Sequence, residues 1–221
     1  MTLERLITNL AKEKLSLSNS WYLWRQIDVT SLPAGVSLPE GSPYSKNVAL
    51  KLELNRLWKS VPDRRFDLAT YYVSTWGGVR RNRAETLRAY VTEAPHDLIL
   101  NGLKGVASWS KVLCIRDPLR YAIFDARVSI ALNCLQILGR VEEATLFPLL
   151  PGQNKTIQIG NKRIRTYADS RNWRRAERPA YYEEYLQLTR KVASNFQDVE
   201  VYTIEMLLFA HAKELLSRAF L

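Results

Sequence analysis

The chain has 221 residues, with 32 Lys and Arg against 22 Asp and Glu, for a formal charge of +10. That length suits one domain or two small lobes with a real core, and an apolar share of 47% with 10% aromatic residues excludes a disordered polymer. The positive excess favours a polyanionic partner, nucleic acid first, a bias shared by ribosome-associated and membrane-surface proteins.

Residues 2–17 place Leu3, Leu6, Ile7, Leu10 and Leu15 near helical spacing, which predicts an amphipathic helix and not a signal peptide. Residues 18–43, with Pro33, Pro39, Pro43, Gly35 and Gly41, predict a long loop or crossover that Trp21–Trp24 anchors. A helix is expected over 44–60, and a short one over 67–75 with Asp67 as N-cap. A Gly77-Gly78 turn then leads into Arg80, Arg81 and Arg83. The next helix covers 84–93, Pro95 ends it, and Asp97 can cap the one after.

Residues 97–133 form the unit around which the rest is arranged: a short helix, a Gly-containing hairpin, a second helix, a connector with Pro118, and Asp125 at the mouth of a third helix. That third helix covers 126–138 and stops at Gly139. Alternation on either side of Gly160-Asn161 predicts a small β-hairpin over 156–165. Eight basic residues lie between Lys155 and Arg178, among them Arg171, Arg174 and Arg175 around Trp173. Helices over 180–195 and 199–219 close the chain, the last with a stripe of Ile204, Leu207, Leu208 and Leu215. The class is mainly α, without the βαβ alternation or Gly-rich phosphate loop of nucleotide-binding folds.

Cys114 and Cys134 read as buried reduced thiols, since two thiolates cannot complete an iron–sulfur or Cys₄ zinc site. His96 and His211 stand in no metal-ligand spacing, and no apolar run approaches the length of a membrane span. A reducing cytoplasm is the expected home.

In the hairpin, Gly105 can adopt a backbone conformation barred to other residues. The N–H groups of Val106, Ala107 and Ser108 at the following helix start can form a nest for one phosphate. The plainer alternative is a turn between two helices. Asp125 follows an apolar run and opens a helix. It is either an N-cap alone or an N-cap that also presents a carboxylate to a cleft.

The stretch Leu103-Lys104-Gly105-Val106-Ala107, with Phe124-Asp125-Ala126-Arg127-Val128 beyond it, resembles the helix–hairpin–helix DNA glycosylase superfamily, which includes the 8-oxoguanine and alkyladenine glycosylases. Asp125 lies 16 positions after Trp109, and the resemblance covers about 35 residues. Ala107 stands where the family has its second hairpin Gly, and Trp109 where bifunctional members have a nucleophilic Lys. Lys111, two residues on, lies on a different helix face and is assigned to DNA contact.

The resemblance implies one glycosylase-like domain with a helical lobe over 61–140 and a second lobe from 1–60 plus 141–221. It implies a monofunctional enzyme that flips a base from double-stranded DNA and hydrolyses its N-glycosidic bond. Asp125 is the expected catalytic carboxylate, stabilising the oxocarbenium-like sugar and orienting water. Trp109, Trp76, Tyr121 and Phe124 are the expected walls of the base pocket, each with core packing as the alternative. Gly105, Val106, Ala107, Ser108, Lys111, Arg80, Arg81, Arg83, Arg127, Arg171, Arg174 and Arg175 are the expected DNA contacts. A monomer without a cofactor is expected, save a monovalent cation that the hairpin could hold. Oxidised purines, alkylated purines and a hypermodified cytosine of phage DNA, the last implying antiviral defence, all stay open as substrates. A non-catalytic hairpin DNA-binding protein and a basic interaction factor are the competing readings.

Overall fold

The apolar run that opens at Ala126 becomes helix α7 (Ala126–Leu138), and every residue from Val128 to Ile137 is buried. A helix buried on all sides belongs in the centre of a helical protein. In the computed structural model, which describes residues 1–16, 19–24, 26–152, 154–177 and 179–220, nine further α-helices accompany it. They are α1 (Leu3–Leu15), α2 (Pro43–Ser60), α3 (Arg65–Thr70), α4 (Ala84–Thr92), α5 (Pro95–Leu100), α6 (Val106–Arg116), α8 (Lys155–Ser170), α9 (Tyr181–Ala193) and α10 (Val201–Phe220). Two short strands, β1 (Thr145–Leu146) and β2 (Arg174–Arg175), pair in parallel, Thr145 opposite Arg174. Leu17, at the end of the first expected helix, and Arg178, in the basic run, lie outside the described residues.

The more extensive packing falls into two groups. Helices α2, α3, α4 and α6 pack on one another, together with π-helical turns at Tyr71–Trp76 that continue α3. Helices α1, α8 and α10 pack on α7, and α9 on α1 and α10. The seam therefore runs through residues 117–125, between α6 and α7, with α2 on the side of α6.

The buried polar side chains of α7 share one task. Ser129, Asn133 and Gln136 are spaced to share a helix face, and all three bind the main chain of residues 145–148. Asn133 donates to the Phe147 carbonyl at 3.1 Å and accepts from its N–H at 3.0 Å. Gln136 does the same for Thr145, at 2.8 Å each way. Ser129 donates to the Pro148 carbonyl at 2.6 Å. Buried amides and hydroxyls are tolerated because each is satisfied.

Three local expectations are corrected. Residues 156–165 are not a β-hairpin but the first part of α8. The alternation that suggested strands coincides with a helical stripe, Ile157, Gly160, Ile164 and Ala168, all buried. Gly160 marks a close approach instead of a turn: a Cβ there would stand 2.6 Å from Leu216 Cδ2. Asp67 lies inside α3, whose N-cap is Arg64. Pro95 starts α5 instead of ending α4, and the N-cap of α5 is Ala94, not Asp97, in keeping with the preference of Pro for the first helical position.

Candidate active-site cleft

Between the two packing groups lies a cleft of about 440 Å³. Trp76, the 77–81 loop, Ala107 and Lys111 line it from the α6 side. Ile123, Asp125, Arg127, Ile157, Glu205 and Phe209 line it from the α7 side, and Tyr22 and Trp24 close one edge.

The local sequence explains how Asp125 comes to face this space. Its backbone is extended, and its Oδ1 accepts from the N–H groups of Arg127 at 2.9 Å and Val128 at 3.1 Å, the N-cap of α7. Both cap bonds end on Oδ1, so Oδ2 takes no part in them. The residues leading in are fastened from two directions. The Phe124 N–H donates to Ser110 Oγ at 3.1 Å. The Tyr182 and Tyr185 hydroxyls donate to the carbonyls of Ala122 and Ile123, at 2.8 and 2.9 Å. A third tyrosine of α9, Tyr181, donates to the Gly102 carbonyl at 3.1 Å and so ties in the hairpin.

The hairpin itself has the backbone its sequence predicts. Gly105 has φ +72°, and a Cβ at that position would collide with the Tyr90 hydroxyl. Gly105 is also the N-cap of α6, and no side chain caps the N–H groups there. The Asn82 amide donates to Ser108 Oγ at 2.8 Å, clipping the arginine-bearing loop onto the start of α6.

Four of the expected site residues are placed differently from their expectation. Trp109, Tyr121 and Phe124 do not line the cleft; all three are core. Trp109 packs edge-on against Tyr182 at 4.8 Å and donates its indole N–H to the Lys104 carbonyl. Phe124 sits edge-on to Tyr181 and Tyr185, and Tyr121 is buried under Arg120. Lys111, expected as a DNA contact, is 4% exposed and lines the cleft floor instead of standing on the surface. Two residues along a helix point to nearly opposite sides, and it is the face of Ala107 and Lys111 that looks into the cleft while Trp109 looks away.

Val106 and Ser108 have buried side chains, and their N–H groups already donate to the carbonyls of Leu103 and Gly105, at 3.4 and 2.8 Å. Trp76 lies where it was expected, as a cleft wall stacked on Tyr72 at 4.3 Å and fixed by a bond from its Nε1 to Asn47. Arg80 and Arg81 are exposed at the cleft rim, and Arg83 is exposed at the start of α4. Arg127 reaches the cleft packed over the rings of Trp24 and Phe209, at 4.5 and 4.8 Å. Arg171, Arg174 and Arg175 are exposed but do not line this cleft. Arg174 pairs with Glu184 at 3.8 Å and Arg175 with Asp169 at 3.2 Å.

Two charged residues absent from the sequence expectation complete the site. Lys51 of α2 and Glu205 of α10 form a buried ion pair across the seam, Nζ to Oε2 3.2 Å, with side chains 1% and 4% exposed. The angle is not that of a hydrogen bond, and both atoms lack a hydrogen-bond partner among the described residues. Burial pushes the Glu205 carboxyl above its ordinary pKa, opposed by Lys51 and reinforced by Asp125. Burial lowers the Lys111 pKa, opposed by Asp125 and Glu205. Lys111 Nζ donates to the Ala107 carbonyl at 2.6 Å. Burial also raises the Tyr22 phenol, with Glu205 and Asp125 adding to it. A signal for the pair was present in the sequence: Lys51 falls in the buried stripe Asn47, Leu50, Leu54 and Trp58, and Glu205 is a lone charge within Ile204–Leu208.

Among the described residues no cluster of His, Cys, Asp and Glu could hold a metal ion, and no helix is long and apolar enough to cross a membrane. Comparison with family models, curated proteins and solved structures finds no match to this chain.

Proposed function

We propose that the chain is a monofunctional DNA glycosylase of helix–hairpin–helix type, with Asp125 as its catalytic carboxylate. The observation that carries this reading is the placement of Asp125: a carboxylate fixed by its own helix cap, in a cleft whose rim bears Arg80, Arg81 and the start of α6. In this reading double-stranded DNA lies across the rim, with a phosphate at the start of α6 beyond Gly105. The flipped base enters the cleft beside Trp76. As the N-glycosidic bond breaks, Asp125 Oδ2 stabilises the positive sugar and orients the attacking water. The reading asks for no cofactor and works with a cytoplasmic monomer of two lobes.

The test is incubation with duplexes bearing oxidised or alkylated purines and with phage DNA bearing hypermodified cytosine, followed by alkali to reveal abasic sites. Strand breaks with the parent chain and none with Asp125→Asn are expected. Salt-sensitive DNA binding without base release from any substrate would instead favour a non-catalytic DNA-binding protein.

A second reading is favoured by one observation, the cleft position of Lys111. There an amine of lowered pKa lies near Asp125. Its lone pair could attack C1′ as the bond to the base breaks, the base leaving with a proton; the C1′–O4′ bond of the resulting aminal then opens, a proton passing from nitrogen to O4′, to give a covalent imine and a lyase step. Borohydride trapping separates the two: a trapped complex that is lost in Lys111→Met establishes the second reading, and none supports the first.

A further inference from the structure

Asp125, Lys111 and Glu205 share the cleft, and Lys51 stands behind Glu205. Their two positive and two negative charges balance. A balanced floor gives no net attraction to phosphate, and the two carboxylates would repel one. The exposed cationic groups at the cleft rim, where a backbone would lie, are instead Arg80 and Arg81. A nucleotide would therefore enter base-first, its phosphates held outside.

Glu205 is buried and lines the cleft, while its Oε2 is enclosed, stands 3.2 Å from Lys51 Nζ and makes no well-angled hydrogen bond among the described residues. An unsatisfied buried polar group is costly, and a buried ion pair is commonly no more stable than apolar residues of equal volume. Packing alone does not account for this pair. A carboxylate accepts hydrogen bonds and donates none, while an ammonium donates and accepts none. Lys111 spends one donor on Ala107, and an ammonium has three.

We infer that Glu205 and Lys111 read the base by its edge, so that the ligand of this cleft is a nucleobase presenting an N–H donor beside an acceptor oxygen or ring nitrogen. Glu205 accepts the N–H, Lys111 donates to the acceptor, and Lys51 favours the charged form of Glu205 against its burial. The inference rests on the reading of the cleft as a base pocket and adds the chemistry by which a base is chosen.

The test measures binding of the intact chain to 2′-deoxycytidine, 2′-deoxyadenosine, 2′-deoxyguanosine and thymidine by ligand-observed NMR. Each is paired with a counterpart whose base N–H groups carry methyl instead. At least one natural nucleoside should bind about tenfold or more tightly than its methylated partner, since a charged acceptor left unpaired forfeits a full hydrogen bond. The double variant Lys51→Met/Glu205→Leu should melt no lower than the parent and lose that preference. Glu205→Gln, which keeps the volume without the charge, should weaken it. No preference in the parent, or an undiminished preference in the double variant with its melting intact, overturns the inference. If the double variant unfolds, Glu205→Gln decides: an unchanged preference there overturns it too. Base excision by parent and double variant alike would leave the glycosylase reading standing and defeat this one. Nucleoside preference without excision would do the reverse.

Discussion

The Tyr185 hydroxyl donates to the carbonyl oxygen of Ile123 at 2.9 Å, two residues ahead of Asp125. This bond and its neighbour from Tyr182 to Ala122 set the path along which the chain delivers the carboxylate to the cleft. Tyr185→Phe strands a buried carbonyl, so a loss of about 1–3 kcal/mol is expected. Base release should fall further than stability does, because Asp125 is then held less well. Chemical denaturation and a single-turnover excision assay on the same sample check both. Excision unchanged alongside a clear loss of stability would separate the tyrosine from the site.

Capping and chemistry at Asp125 can be told apart by two substitutions. Asn caps a helix about as well as Asp, whereas Ala costs about 1 kcal/mol. Asp125→Asn should therefore keep its melting temperature and Asp125→Ala should lose a few degrees, while neither releases a base. Thermal melts compared with alkali-revealed strand breaks give the answer.

Lys111 gives a pH signature. Its amine titrates lower in the folded chain than in the unfolded one, where the ordinary value is 10.5. Between the lowered value and 10.5 the unfolded state binds more protons, so this residue makes stability rise with pH. Buried Cys114, pushed up from 9.0 to about 12, acts the other way above pH 9. The contribution of Lys111 is therefore read as a difference: parent minus Lys111→Met, in denaturation midpoints as the pH rises toward 10.5, should increase with pH. A flat difference would mean that Lys111 is solvated.

At Gly105 two costs combine, a φ of +72° and the nearby Tyr90 hydroxyl. Gly105→Ala should lose more than about 1 kcal/mol. Adding Tyr90→Phe removes the collision with the hydroxyl and should recover part of the loss, the backbone strain persisting. Denaturant midpoints of the two single variants and the double variant measure that coupling.

If DNA crosses the cleft rim, Arg80→Ala and Arg81→Ala should each weaken duplex binding. Each should also lower the slope of log affinity against log salt by about 0.9 for every phosphate left without its arginine. Arg174→Ala, on a surface that does not line the cleft, serves as the comparison. An equal slope change in all three would place the duplex elsewhere.

Much of this architecture is legible in local pattern. The left-handed Gly105, the cap at Asp125 and the buried run of α7 each follow from a few adjacent residues. What escapes depends on partners far away in the chain. Lys51 and Glu205 are 154 positions apart, and no local rule pairs them. A place in the motif assigns Trp109 to the pocket, but a helix shows only one face to a cleft, and Lys111 holds that face. Residues 156–165 satisfy both a strand and a helix pattern over ten positions; the close approach of Gly160 to Leu216 and Ile130 accompanies the helical one.

The three side chains with which α7 holds residues 145–148 bind only peptide groups, never a side chain of that segment. The attachment is consequently blind to what the segment spells. Changing the Thr145 side chain would forfeit its bond from Arg174 and changing Leu146 some core packing, but neither would release the peptide track from α7. Any change at Ser129, Asn133 or Gln136, by contrast, unfastens the track whatever its sequence. In a lineage of such chains, variation is expected to collect on the held segment and constancy on the helix that holds it.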